Sequence, residues 1–278
     1  EANPGDITLE KATAWRAIGI NRLSMGIQSF DDDLLRLIGR RHTAEQARKA
    51  VAIAQAAGFD NISIDLMYAL PSQTMEQWQR DVAEALQLGV QHISTYGLIY
   101  EEGTVLTALL ERGHITPVDE DTEIQMYDYL VEQLTANGFE HYEVSNFARK
   151  GYRSRHNSSY WTGAEYLGIG PGAHSFNGAT RRWCEQDVEQ YIKCVEYGGE
   201  TLTAQDALNE YIMVSLRRVE GIDLQHIAKM WGEESAKQLL SYAERFIACN
   251  WLVQEGGRLA VPAEKFLISD TIIGELFA

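Results

Sequence analysis

Asn61-Ile-Ser-Ile-Asp-Leu-Met-Tyr-Ala-Leu-Pro71 is a short run of apolar and β-branched residues, broken by one charge at Asp65 and stopped by proline. Such a run between turn residues reads as a buried strand, here residues 61–67. Its surroundings decide the fold class. A helix-length stretch, 43–57, precedes it and ends at Gly58, the left-handed residue a helix C-terminus needs. Another, 74–88, follows the Pro71 turn and opens on a Thr74-x-x-Gln77 capping box. The same unit of helix, glycine and strand recurs as 9–17, Gly19 and 22–28 before it, and as Gly89 and 92–98 after it. The alternation predicts an α/β fold, a parallel sheet with crossover helices. A fourth helix is expected over 119–137, capped by Asp119, Glu120 and Asp121, with a strand over 140–145.

The 278 residues allow one large domain and a small one. With 40 acidic against 24 basic residues, the formal charge of −16 repels phosphate backbones and argues against nucleic acid as a partner. No apolar stretch is long enough to cross a bilayer and no charged-then-apolar leader opens the sequence, so a cytoplasmic location is expected. Cys184, Cys194 and Cys249 form neither a disulfide framework nor a metal pair and are expected to be buried free thiols.

After about residue 200 the pattern changes. Helices over 204–217, 224–231 and 234–250 lead to strands 251–254 and 258–261 around a Glu255-Gly256-Gly257 turn. Three helices and a β-wing predict a winged-helix-like α+β module over 201–278, and residues 1–200 a first domain. The module's recognition-like helix is not basic, so a packing or lid role is expected.

In a β/α barrel, chemistry gathers at the C-terminal ends of the strands. That rule selects Gln28, Arg40, Asp65, and Tyr96 with Gly97, where a missing side chain leaves room for a flat ring. Arg40 and Asp65 also suit a structural ion pair, and Gln28 the satisfaction of loop backbone. A second concentration, His156-Asn-Ser-Ser-Tyr-Trp161 followed by Gly168, Gly170, Gly172 and His174, suits a large conjugated ligand: aromatic faces to stack on, an imidazole to ligate it. Tyr and Trp are equally common as core residues.

Together with these segments, Glu1-Ala-Asn-Pro4, Arg22-Leu-Ser-Met-Gly-Ile-Gln-Ser-Phe30, Gly39-Arg-Arg-His42, Asp65-Leu-Met-Tyr-Ala-Leu-Pro71 and Tyr142-Glu-Val-Ser-Asn-Phe-Ala148 are similar to the HemW heme-chaperone family. That family belongs to the radical S-adenosylmethionine (SAM) proteins and is related to oxygen-independent coproporphyrinogen III oxidase. The resemblance runs nearly the whole length. It implies a partial (β/α) barrel of the radical SAM type, with SAM contacts at Glu1, Gln28, Arg40 and Asp65. Tyr96 and Gly97 would back the adenine, and the loop ending at His174 would close the site. His156 becomes the implied heme contact, with Asn157 beside it and Tyr160 and Trp161 as stacking walls.

One departure matters. The family's CxxxCxxC cluster motif and the glycine-rich loop after it do not occur in the sequence, and the three cysteines cannot replace them. By resemblance, about two β/α units are expected to precede Glu1 in the intact parent. The parent would then carry the [4Fe-4S] cluster, and this chain alone is expected to be inactive in radical chemistry. A partial barrel is also expected to expose a strand edge, a route to a homodimer. The implied function is binding of heme and its transfer to an acceptor protein, soluble or in a membrane. The alternative is radical decarboxylation of coproporphyrinogen III. Arg149, Lys150, Arg153, Arg155, Arg181 and Arg182 would suit the propionates of either tetrapyrrole.

Overall fold

A computed structural model describes residues 1–194 and 197–277. It divides into two compact units, Glu1–Arg153 and Ser154–Ala278.

In the first unit the order is α1 (Leu9–Ala17), β1 (Leu23–Gln28), α2 (Asp32–Leu37), α3 (Ala44–Ala56), β2 (Ile62–Tyr68), α4 (Met75–Gln87), β3 (His92–Gly97), α5 (Val105–Glu111), α6 (Glu120–Ala136), β4 (Glu140–Glu143) and β5 (Asn146–Ala148). The five strands form one sheet in the order β1-β2-β3-β5-β4. β1, β2 and β3 are parallel, whereas β5 and β4 return antiparallel. Ahead of β1, Ala2 makes a parallel bridge to Met25. The expected strand over 140–145 is interrupted: β4 ends at Glu143, and the chain turns back into β5.

Strand alternation gives the sheet two unlike faces. On one, Leu23, Met25, Ile27, Ile62, Ile64, Leu66 and Ile93 are buried. The helices supply Ala47, Ala50, Val51 and Ala54 of α3, Trp78, Val82 and Ala85 of α4, and Met126, Leu130 and Leu134 of α6 to the same core. Trp78 Nε1 donates to Met126 O at 2.8 Å and ties α4 to α6. The other face is polar. The register aligns Ser24, Ser63 and His92 in one row and Gly26, Asp65 and Ser94 in the next. In the first row His92 Nδ1 lies 2.7 Å from Ser63 Oγ, and its Nε2 lies 2.8 Å from Tyr142 OH. Burial, reinforced by Arg22, pushes the His92 pKa down to about 3, so the ring is neutral.

Helix caps follow the sequence. Thr74 and Gln77 form the expected box, and Thr43 and Gln46 form a second. Asp119 caps α6 through Thr122 N at 2.9 Å.

The second unit opens with α7 (Arg155–Tyr160), followed by β6 (His174–Phe176), β7 (Thr180–Cys184), α8 (Val188–Lys193) and β8 (Tyr197–Thr201). Then come α9 (Ala204–Leu216), β9 (Ile222–Asp223), α10 (Leu224–Trp231), α11 (Glu233–Ala248), β10 (Val253–Glu255), β11 (Arg258–Ala260) and α12 (Ser269–Leu276). β6-β7-β8 make a small antiparallel sheet. α9, α10 and α11 with the β10-β11-β9 sheet make the winged-helix-like module around Leu208, Ile212, Ile227, Leu239, Phe246 and Leu259. Gly256 and Gly257 both have positive φ, as a two-residue hairpin of this twist requires.

The compact units divide after Arg153, earlier than the boundary expected at residue 200. Polar links draw the intervening segment toward the winged-helix-like part: Arg181 pairs with Glu210 of α9 at 2.8 Å, and Arg218 donates to Trp161 O at 3.2 Å. The cysteine expectation needs correction. Only Cys184 is buried; Cys194 and Cys249 are exposed, because they follow helix ends that face solvent.

Candidate functional site

The loop after β1 is the most constrained part of the first unit. Gln28 takes a left-handed backbone, φ 71°, which costs a side-chain-bearing residue about 1–2 kcal/mol. Three groups hold the residues around it. Arg40 Nη2 donates to Gly26 O at 2.7 Å. His42 Nε2 lies 3.0 Å from Ile27 O. On the far side, the buried Asp81 carboxylate of α4 accepts from Ser29 Oγ at 2.6 Å and from Phe30 N at 2.8 Å. A Cβ on Gly26 would fall 2.9 Å from both Arg40 Nη2 and Gln28 Nε2, so glycine there admits the guanidinium and the amide together.

Asp65 stands one strand over, opposite Gly26 and Ser94. Burial pushes its pKa up to about 6, and nearby Glu1 adds to the rise, while hydrogen bonds to Ser94 and Ser24 and the charge of Arg22 oppose it. Arg40 is therefore not its ion partner; that guanidinium is committed to Gly26 O and, at 3.3 Å, to Asn3 Oδ1. Asn146 of β5 pairs with Ser94 in register, and its Oδ1 is a buried acceptor without a donor among the described residues. Tyr96 is 42% exposed at the end of β3. The space left by Gly97 is filled from within the unit: a Cβ there would meet Glu123 Oε1 at 3.1 Å and the Tyr68 hydroxyl at 3.2 Å.

The first unit thus brings Glu1, Gln28, Arg40, Asp65 and Tyr96 onto or beside one polar face. It is rich in acceptors at Asp65, Glu1 and Asn146, and carries amide and guanidinium donors at its rim. Such a set complements a ligand bearing a cation and hydroxyl donors at one end and a carboxylate at the other, the chemistry of SAM. The orphaned Asn146 oxygen and the mutual repulsion of Asp65 and Glu1 are what a bound cation and hydroxyl would relieve. A [4Fe-4S] cluster is a different matter. Among the described residues no group of three or more His, Cys, Asp or Glu side chains is placed to hold a metal, and the three cysteines are free.

The remaining candidates lie in the second unit. His174 is exposed at the start of β6, its ring 5.9 Å from that of Trp183. A Cβ on Gly168 would fall 2.1 Å from His174 O, so this glycine is required by close approach. α7 places His156 and Tyr160 one turn apart, ring centroids 5.1 Å and edge to face, with His156 Nε2 3.3 Å from the Tyr160 hydroxyl. Tyr160 continues edge to face onto Tyr166 at 5.0 Å. Asn157 is half-buried, its backbone N–H donating to the Ser154 cap at 3.2 Å. Trp161 is half-buried and faces a cavity of about 650 Å³ shared with Tyr160, Arg218 and Trp231.

Sequence reasoning did not single out Asp81, His42 or Asn146. The signal for Asp81 was present: a carboxylate inside the Trp78, Val82 and Ala85 stripe of an amphipathic helix. His42 and Asn146 lie within the family-like segments but carry no local pattern of their own.

Family models match at both ends: the Radical SAM superfamily over residues 1–85 and the HemN C-terminal domain over residues 202–267. Heme chaperone HemW of Bacillus subtilis is 36% identical over 84% of this chain. The Lactococcus lactis protein of that name is 37% identical over 88%, and the Mycobacterium tuberculosis one 33% over 99%. The chain spans 63%, 69% and 70% of these three relatives respectively. In fold it is similar to the Escherichia coli coproporphyrinogen III oxidase HemN, a radical SAM enzyme, with a TM-score of 0.81 at 21% identity over 100% of this chain and 68% of that one. The polar strand-end site, the α7 aromatic cluster and these relatives lead to one assignment: the chain belongs to the HemW heme-chaperone family of radical SAM proteins.

Proposed function

We propose that the intact protein binds heme on the His156-to-Trp161 segment and passes it to an acceptor protein, with SAM bound at the strand-end site of the first unit. The observation that supports this is the pairing of two exposed groups on α7, the His156 imidazole and the Tyr160 phenol, 3.3 Å apart. A polar partner on one ring nitrogen sets the orientation of a ligating imidazole. Exposure suits a site whose cargo must leave again. In the first unit, SAM would be held by Asp65 and Glu1 toward its cationic groups and by Arg40 and Gln28 toward its carboxylate.

Coproporphyrinogen decarboxylation is the weaker reading. Its substrate carries four carboxylates, yet two of the candidate arginines, Arg149 and Arg153, are already engaged within the first unit. Arg149 lies over the Phe139 ring at 4.4 Å and donates to Asn137 O, and Arg153 pairs with Glu140 at 3.1 Å.

An anaerobic hemin titration followed at the Soret band, wild type beside His156→Ala, tests the proposal. Saturable one-to-one binding that weakens at least about tenfold in the variant supports it. Binding indifferent to His156, or none by the wild type, overturns it.

A further inference from the structure

The second unit holds a cavity of about 650 Å³, within the range of small-molecule sites, and the α7 segment forms only one side of it. On that side the Trp161 indole N–H is buried with no acceptor among the described residues. A buried donor left unpaired is costly, and a ligand acceptor in the cavity would satisfy it.

Lining the same cavity is a cluster that the sequence reading did not single out. The ring of His226, on α10, lies 4.8 Å from that of Tyr211 on α9 and 5.9 Å from that of Trp231, and the latter two rings are 5.5 Å apart. Trp231 Nε1 is tied to Ala204 O at 3.0 Å, and Tyr211 OH accepts from Asp223 N at 3.1 Å, so both rings are fixed. His226 is exposed, and neither of its ring nitrogens makes a hydrogen bond among the described residues. It is an oriented imidazole with both nitrogens open, on a wall of an aromatic cavity.

The charges at the rim restrict the ligand further. Arg181 pairs with Glu200 at 3.0 Å and Glu210 at 2.8 Å, Arg218 with Glu220 at 3.2 Å, and Arg258 with Asp223 at 3.5 Å. Each guanidinium therefore enters with its charge largely answered. Spare N–H groups can still receive one or two carboxylates, but four would leave the rim strongly negative.

We propose that this cavity, lined by both His226 and Trp161, is the seat of a metal-bearing, dicarboxylate tetrapyrrole, and that His226 ligates the metal. The proposal rests on the heme reading above and deepens it by assigning the winged-helix-like module a part of the site. Binding forms a bond from a His226 ring nitrogen to the iron and displaces water; no electron is transferred.

Three ligands and three variants of the intact protein test it: hemin, metal-free protoporphyrin and a tetracarboxylate coproporphyrin, against His226→Ala, Ala207→Trp and Trp161→Phe, with circular dichroism as a folding control. Ala207 lines the cavity, so the added indole should abolish hemin and protoporphyrin binding alike. His226→Ala should keep protoporphyrin affinity, lose at least about tenfold in hemin affinity and shift the Soret band. Trp161→Phe, which removes only the donor, should weaken both a few-fold and serves if Ala207→Trp does not fold. Coproporphyrin should bind at least about tenfold more weakly than protoporphyrin. Unchanged hemin binding in Ala207→Trp, or in Trp161→Phe if the former is unfolded, overturns the seat. An unchanged Soret band and affinity in His226→Ala overturn the ligand. Loss in His156→Ala with both cavity variants intact leaves heme on α7 and removes the cavity. Absence of wild-type binding overturns both.

Discussion

The Asp81 carboxylate accepts a 2.6 Å hydrogen bond from the Ser29 hydroxyl, joining the middle of α4 to the loop that ends β1. With a second bond from Phe30 N, it fixes the two residues that follow the left-handed Gln28. Replacing Asp81 with Ala leaves both donors buried and unpaired. The expected loss is about 2–4 kcal/mol in urea denaturation. SAM affinity should fall with it, because the Gln28 amide is no longer held at the rim. Unchanged stability would show that the loop is held from the Arg40 and His42 side alone.

Gln28 separates stability from binding. Glycine adopts φ near 71° without the penalty Gln carries, so Gln28→Gly should lie within about 1 kcal/mol of wild type or above it. The same change removes an amide from the rim. SAM binding, measured by calorimetry, should weaken about tenfold. A large loss of stability would mean that the amide itself holds the loop.

Asp65 and Asp81 both have pKa values raised by burial from 3.8 to about 6. For each, protonation is favoured in the folded state. The stability it contributes is full below about pH 4, is lost as pH rises to about 6 and stays absent above. Asp65→Asn should therefore be more stable than wild type by about 3 kcal/mol at pH 7.5 and close to it near pH 4. It should remove about half of the decline across that window, since Asp81 retains its own share. Weaker SAM binding in the same variant would mark Asp65 as a residue kept for its ligand at a cost to the fold. Urea midpoints at pH 4 and 7.5 decide the matter.

Two glycines predict opposite outcomes. Ala at Gly168 would drive a Cβ to 2.1 Å from His174 O, and should lower stability by about 1–3 kcal/mol. Gly274, inside α12, has nothing within 4 Å of its Cβ position and no positive φ; alanine there should add about 0.5–1 kcal/mol. Thermal melts of the pair make the comparison. Equal effects would show that the Gly168 loop adjusts freely.

Much of this fold is legible in the chain because its signals are local. The Thr74 box, the glycines ending α3 and α4, and the apolar runs of β1 to β3 each act within a few residues, and the elements lie within about two residues of their expected bounds. The two-residue β9 carried no signal of that kind. Gly221 instead marks where it meets β11: its φ is 63°, and a Cβ there would fall 2.4 Å from Leu259 O. The compact units part after Arg153 while the composition changes near residue 200, and the link from Arg181 to Glu210, which spans that change, leaves no trace in the linear order.

The sequence by itself determined the alternation of helix and strand, the family, and the residue types available for SAM and heme. These follow from side-chain periodicity and short motifs, which need no partner from elsewhere in the chain. Only the tertiary structure decided the pairings: that Arg40 turns to Gly26 rather than Asp65, that Gly97 is filled by Tyr68 and Glu123, that Asp81 holds the Gln28 loop, and that His226 and Trp161 line one cavity. Each depends on register and packing between distant segments, where burial sets the energy and chain order carries no trace of who meets whom.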